Sequence, residues 1–199
     1  MTTNKNIIAI TGATGTGKTR LISELANSMD VSVPRHTTNR LPRNDDEVGF
    51  YNYIDTEEFK RLEYNNEFLF SSGDIKRYYG VLKKDAENAW FYSNSILVTC
   101  SYKDLSNIKA LPYYSEIIVL AYKDMQTSIV KRTESRKWPD NELLERIKEF
   151  SIDETKFKDD VEKCASNKFY VDDGTDFEEI LLVCKNLIKR CCDNNDNRL

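Results

Sequence analysis

Eight residues, Gly12 to Thr19 (GATGTGKT), constrain the fold more tightly than any other part of the chain. They follow a continuous apolar run, Asn6 to Thr11 (NIIAIT), the pattern of a central strand buried on both faces. From Lys18 onward the apolar positions become Leu21, Ile22, Leu25 and Met29, which is helical spacing. Three of the chain's seven glycines are spent between that strand and that helix. The segment fits G-x-x-x-x-G-K-[ST], the Walker A pattern. Its glycines let successive backbone N–H groups converge on phosphate oxygens without Cβ clashes, and the helix N-terminus adds the positive end of its dipole. Gly12, Ala13, Thr14, Gly15, Thr16, Gly17, Lys18 and Thr19 are therefore expected to cradle a nucleotide's phosphates. Lys18 is placed to reach the β- and γ-phosphates, and the Thr19 hydroxyl to ligate Mg²⁺. The bland alternative is a flexible strand–helix turn that carries Lys-Thr by accident, and both flanks argue against it.

The same rhythm recurs downstream. Ser95 to Thr99 (SILVT), Glu116 to Ala121 (EIIVLA) and Lys168 to Val171 (KFYV) read as further buried strands, each followed by a helical stretch. In the last helix Phe177, Ile180, Leu181, Cys184, Leu187 and Ile188 share one stripe, with Asp176 as its N-cap. Alternating strands and helices predict an α/β fold, a parallel sheet between two helical layers joined by right-handed crossovers. Residues from about 34 to 82 break the rhythm. They are turn-rich, alternate over Phe50 to Ile54, form a short helix from Thr56 and return to β pattern at Phe68 to Ser71. This predicts a small mixed lobe inserted into one domain, whose core is residues 1–33 and 83–190, with a polar, frayed tail over 192–199.

Bulk properties narrow the partners. A length of 199 residues suits a single domain with an inserted lobe. A formal charge of −4 and a pI near 5.3 oppose bulk attraction to nucleic acid. No apolar run approaches the roughly 18–20 residues of a membrane span, and MTTNKN lacks a secretion signal's apolar core. The five cysteines form no CxxC pair, which predicts reduced thiols in a cytoplasmic protein. The Walker A segment alone specifies only nucleoside-triphosphate binding. A GTPase's guanine-reading NKxD is absent, and the apolar strands carry no carboxylate of the kind motor ATPases place at a strand end.

The inserted lobe narrows the class further. His36 to Arg43 read HTTNRLPR, Glu47 to Tyr53 EVGFYNY, Thr56 to Lys60 TEEFK, Asn66 to Phe68 NEF, and Tyr78 to Val81 YYGV. In that order behind a P-loop, over about residues 6–190, the chain resembles the guanylate kinase family. The resemblance implies ATP and Mg²⁺ as cofactors, a core, a lid at about 133–146 and a lobe that closes over a monophosphate. It implies a monomer or homodimer acting on a GMP-like small molecule. Two arginines and two tyrosines grip the acceptor phosphate in that family, and by motif they fall on Arg40, Arg43, Tyr51 and Tyr79, with Glu47 at the family's glutamate. Planar guanidinium groups pair bidentately with a phosphate, and phenols add neutral donors. Asn39, inserted between Thr38 and Arg40, shifts the arginine register. Lys18 and the lid-region Arg132, Arg136 and Arg146 would stabilise charge on the transferring phosphoryl group.

The chain departs from the family at polar positions. Phe70 stands at the glutamate that reads guanine, Val81 at a small hydroxyl residue, and Val98 and Cys100 at the acids of the central strand. A guanine N–H buried without an acceptor costs about 1–3 kcal/mol. The expected reaction is transfer of the ATP γ-phosphoryl group to GMP or dGMP. Ribose 1,5-bisphosphate and a non-guanine or modified nucleoside monophosphate, stacked against Phe70 and Val81, stay open as acceptors. A non-catalytic binding module is the alternative from another class, opposed by the retained Lys18, Thr19 and arginines. His36, the only histidine, is expected to serve structure or the acceptor lobe.

Overall fold

Ile7 to Ile10 are all fully buried, and they face two different cores in alternation. Ile7 and Ala9 join one apolar cluster, Ile8 and Ile10 another. A strand needs this double burial only when helices cover both of its faces. A computed structural model describes residues 5–43, 48–73, 77–124, 140–171 and 175–196. In chain order the elements are β1 (Asn6–Gly12), α1 (Lys18–Ser28), β2 (His36–Thr38), β3 (Tyr51–Tyr53), α2 (Thr56–Tyr64), β4 (Phe68–Gly73), β5 (Tyr78–Leu82) and α3 (Lys83–Tyr92). They continue with β6 (Ser95–Thr99), a 3₁₀ turn (Tyr102–Asp104), α4 (Leu105–Lys109), β7 (Tyr114–Ala121), α5 (Asp140–Lys156), α6 (Lys158–Cys164), β8 (Asn167–Tyr170) and α7 (Phe177–Asp196).

The first sheet is parallel with order β6-β1-β7-β8. On one face α3, α4 and α6 contribute Ala86, Trp90, Leu105, Ile108 and Val161, packed against Ile96, Val98, Ile117 and Val119. On the other, α1 and α7 contribute Leu21, Leu25, Ile180, Cys184 and Ile188 against Leu97, Ile118 and Leu120. The result is the three-layer α/β arrangement that the alternating pattern predicts. Asp176 accepts the Glu178 N–H at 2.9 Å at the start of α7. At its far end α7 runs to Asp196, past Cys192, where composition alone suggests a frayed tail. Cys191, 1% exposed, extends the Cys184–Ile188 stripe by one more turn and draws the helix on. Among the described residues no helix is long and apolar enough to cross a membrane.

The second sheet is mixed, with order β3-β2-β5-β4; β2 pairs with β3 in parallel and with β5 antiparallel. Its rows run Tyr51–His36–Val81–Phe70 and Tyr53–Thr38–Tyr79–Ser72 across the strands. A register shift lies between Phe68 and Phe70. Strict alternation would put both rings on one face. The shift sends Phe68 against Phe59 of α2, ring centroids 4.5 Å apart, and Phe70 into the main core. Both rings are buried as a result.

Candidate active site

The glycine-rich segment leaves β1 at its carboxyl end and enters α1 as the sequence predicts. Gly15 and Gly17 hold φ of +80° and +92°, a region L side chains rarely adopt. Thr16 donates its hydroxyl to the Ala13 carbonyl at 2.9 Å, and the Tyr122 hydroxyl donates to the Thr14 carbonyl at 2.9 Å. The loop is thus pinned from within and from the end of β7. Lys18 Nζ lies across the loop, donating to the carbonyls of Gly12 and Ala13, each at 2.8 Å. These are neutral acceptors, and a phosphate oxygen in the same place is a stronger one. Thr19 is exposed in the first turn of α1. The loop conformation, the helix start and the reach of Lys18 fit a triphosphate.

Ala13 and Tyr122 are buried against Leu143, Ile147 and Phe150, spaced along one face of α5. That packing sets α5 beside the phosphate loop. Arg146 lies in α5, but its side chain falls outside the described residues, as do Arg132, Arg136, Glu47 and most of the lid span.

On the second sheet the inserted Asn39 has its own task. Its amide donates to the Thr56 hydroxyl at 2.8 Å, and its carbonyl accepts the Tyr78 N–H at 2.7 Å. The extra residue is absorbed into the lobe's frame. Arg40 is then 9% exposed, with its guanidinium 4.5 Å from the Tyr51 ring centroid and 5.6 Å from that of Tyr53. A cation held over aromatic faces keeps its planar edge oriented. Tyr79 shares that face, two strands over in the Tyr53 row, and Arg43 is half-buried farther along the loop. The structure therefore brings Arg40, Tyr51 and Tyr79 onto one surface.

Phe70 and Val81 are 6% and 0% exposed, packed with Ala86, Trp90, Val98 and Leu105. Both are packed into the main core, in the same cross-strand row as Tyr51. Val98 also faces this core. Cys100 lies at the end of β6 beside Thr11, where burial and then the nearby Asp104 charge push its thiol well above the ordinary range.

His36 joins the two sheets. Its Nε2 accepts the Thr99 N–H at 2.9 Å, and its ring stacks on Phe50 with centroids 4.9 Å apart. This bond fixes β2 at the carboxyl end of β6, where Thr99 pairs with Ile10 of β1 next to the phosphate loop. Burial lowers the His36 pKa to about 4, against backbone contacts that raise it. The folded state therefore keeps His36 neutral down to about pH 4, whereas the unfolded chain takes up the proton from about 6.5. Stability is lost as pH falls from about 6.5 through 4, by on the order of 3 kcal/mol at the lower end. Urea unfolding of wild type and His36→Gln at a series of pH values checks this. The stability difference between the two should shift toward the variant by about that amount as pH falls, whereas a pH-independent difference contradicts it.

Sequence patterns missed one group of residues. Ser72, Ser101 and Asp104 meet where the second sheet touches the core, with Ser72 Oγ 2.9 Å from both Ser101 Oγ and Asp104 Oδ2. The spacing S-x-x-D from Ser101 was a readable helix-start signal, but nothing local linked it to Ser72. A separate cavity of about 550 Å³, lined in part by Tyr102, Glu154, Lys158 and Val161, includes no residue of the phosphate loop.

Comparison with known proteins gives one consistent result. The family profile for guanylate kinase matches residues 4–186. A guanylate kinase of Fusobacterium nucleatum subsp. nucleatum is 22% identical over 184 residues, covering 92% of this chain and 93% of that protein. A guanylate kinase of Neisseria gonorrhoeae is 42% identical over 79 residues, 38% of each chain. The crystal structure of guanylate kinase from Anaplasma phagocytophilum shares the fold, with a TM-score of 0.65 at 17% identity over 94% of this chain and 85% of that one.

Proposed function

Since the chain belongs to the guanylate kinase family, and is thus an ATP-dependent nucleoside-monophosphate kinase, we propose that its acceptor is GMP or dGMP, converted to the diphosphate. A phosphorylated acceptor is supported by the phosphate loop with Lys18 laid across it and by a second sheet that holds Arg40 over Tyr51 and Tyr53, and guanine as its base by the relatives that are guanylate kinases. One surface suits a donor's triphosphate, the other an acceptor's phosphate, and His36 fixes the two sheets against each other.

In this mechanism a phosphate oxygen of the acceptor attacks the γ-phosphorus of ATP. The bond from that phosphorus to the β–γ bridging oxygen breaks, and ADP leaves with the bond's electrons. The attacking phosphate is already anionic, so no general base is needed. The backbone of Gly12 to Thr19 holds the β- and γ-phosphates, and Lys18 moves its ammonium from the loop carbonyls onto their oxygens. Arg40, Arg43, Tyr51 and Tyr79 orient the acceptor phosphate in line. Arg132, Arg136 and Arg146 supply lid charges to the loose transition state, and Glu47 serves the acceptor lobe. Mg²⁺, when bound with the nucleotide, neutralises developing charge on the β- and γ-oxygens. Thr19, next to Lys18 in the first turn of α1, is the residue that would ligate it.

A panel of acceptors in an ADP-release assay tests the assignment. Turnover with GMP and dGMP should exceed that with dTMP, dCMP and ribose 1,5-bisphosphate by at least 10²-fold. Activity confined to the bisphosphate or to a pyrimidine monophosphate overturns it.

A further inference from the structure

The Ser72–Ser101–Asp104 knot does more than start a helix. Asp104 is 2% exposed, and every donor that reaches it converges on one oxygen. Oδ2 accepts the Ser101 N–H at 2.7 Å, the Ser72 hydroxyl at 2.9 Å and the Ser101 hydroxyl at 3.0 Å. Oδ1 is equally buried and has no hydrogen-bond partner among the described residues. Capping the 3₁₀ turn explains Oδ2 only. A buried carboxylate oxygen left unmatched is costly, and a serine would cap the turn without that cost.

The position of the knot supplies the missing reason. Ser72 lies on the face of β4 that carries Phe70, one pleat farther along, and it pairs across the strands with Tyr79. Phe70 is packed into the core, and beside it Ser72 bonds an acid drawn from the core domain. An unmatched buried acceptor next to the acceptor-binding face fits a ligand edge that donates N–H groups.

We infer that Asp104 is a specificity-determining residue, its Oδ1 accepting the N1–H and exocyclic amino N–H of a guanine-like base while Ser72 and Ser101 hold the carboxylate in place. The inference rests on the nucleoside-monophosphate reading above. The wild type's own turnover with GMP tests that reading, and only the variants test Asp104.

Asp104→Asn is nearly isosteric. To keep the Ser101 N–H bonded, its carbonyl must take the Oδ2 place, which puts an NH₂ where Oδ1 stood. The acceptor of hydrogen bonds becomes a donor. The KM for GMP should rise roughly 10- to 100-fold with the KM for ATP unchanged. The GMP-to-AMP ratio of kcat/KM should fall by a similar factor, because adenine N1 is an acceptor that the new donor suits. A purely structural role predicts a lowered melting temperature with equal changes for all acceptors, and that result overturns the inference. Ser72→Ala removes one support of the carboxylate without touching the cap. It should raise the KM for GMP by about 3- to 10-fold, and an unchanged value likewise counts against Asp104.

Discussion

Lys18→Ala loses phosphoryl transfer by about 10³-fold or more and keeps its fold. Both halves of that expectation come from one geometry. The Lys18 ammonium is held by two loop carbonyls, Gly12 and Ala13, at the partly exposed mouth of the phosphate loop. Its removal leaves those carbonyls open to water, so the cost to stability is about 1 kcal/mol or less. In the reaction the same ammonium has no substitute among the loop's neutral N–H donors. Its loss withdraws a full charge from the place where negative charge builds up on the leaving and transferring oxygens. Steady-state kinetics and thermal unfolding together separate the two effects. A variant that turns over at near wild-type rate contradicts the assignment of the loop. A variant that unfolds contradicts the claim that Lys18 serves chemistry and not structure.

Gly12→Ala has the opposite profile, a collapse of stability from a single methyl group. Gly12 ends β1 with φ of +139° and pairs with Leu120 of β7. A Cβ built there would stand 1.9 Å from the Leu120 carbonyl oxygen and 2.9 Å from its carbon. Those are backbone atoms of a central strand, which cannot move aside as a side-chain tip can. Relief requires parting β1 from β7 at the centre of the sheet, and the positive φ adds strain for any L residue. The expected loss is about 4–5 kcal/mol, the range reserved for severe core defects. For a chain of this length that lowers the melting temperature by roughly 10–20 °C. Gly49→Ala is the control, since its φ is +82° but nothing lies within 4 Å of its added Cβ. It should cost only the backbone strain, about 1 kcal/mol. Equal effects at the two glycines contradict the account of Gly12.

The contrast between these two positions also marks what the amino-acid sequence reveals. The GATGTGKT pattern gives the loop, its strand and its helix, because each is encoded by neighbours within a few residues. The sheet's layering is legible for the same reason: Ile7 to Ile10 are uniformly apolar, which only a doubly covered strand requires. Long-range events are not legible. Asn39 is visible as an extra residue in HTTNRLPR, yet its use depends on Thr56 and Tyr78, which bond it from 17 and 39 positions away. The bulge that parts Phe68 from Phe70 has no local glycine or proline to announce it. Phe70 and Val81, read from sequence as pocket residues, are buried with Trp90 and Leu105, a neighbourhood set by the docking of the second sheet on the first. Asp104 escaped notice because its partner Ser72 lies 32 residues away on the other sheet.

The central claim is that this chain moves a phosphoryl group between two small molecules, and not to water or to nothing. Phosphorus NMR of the wild type with ATP, Mg²⁺ and GMP follows that group directly. The account predicts the appearance of GDP and ADP in equal amounts, dependent on GMP, with no build-up of inorganic phosphate. Unchanged ATP, or ADP accompanied by inorganic phosphate in place of GDP, contradicts it.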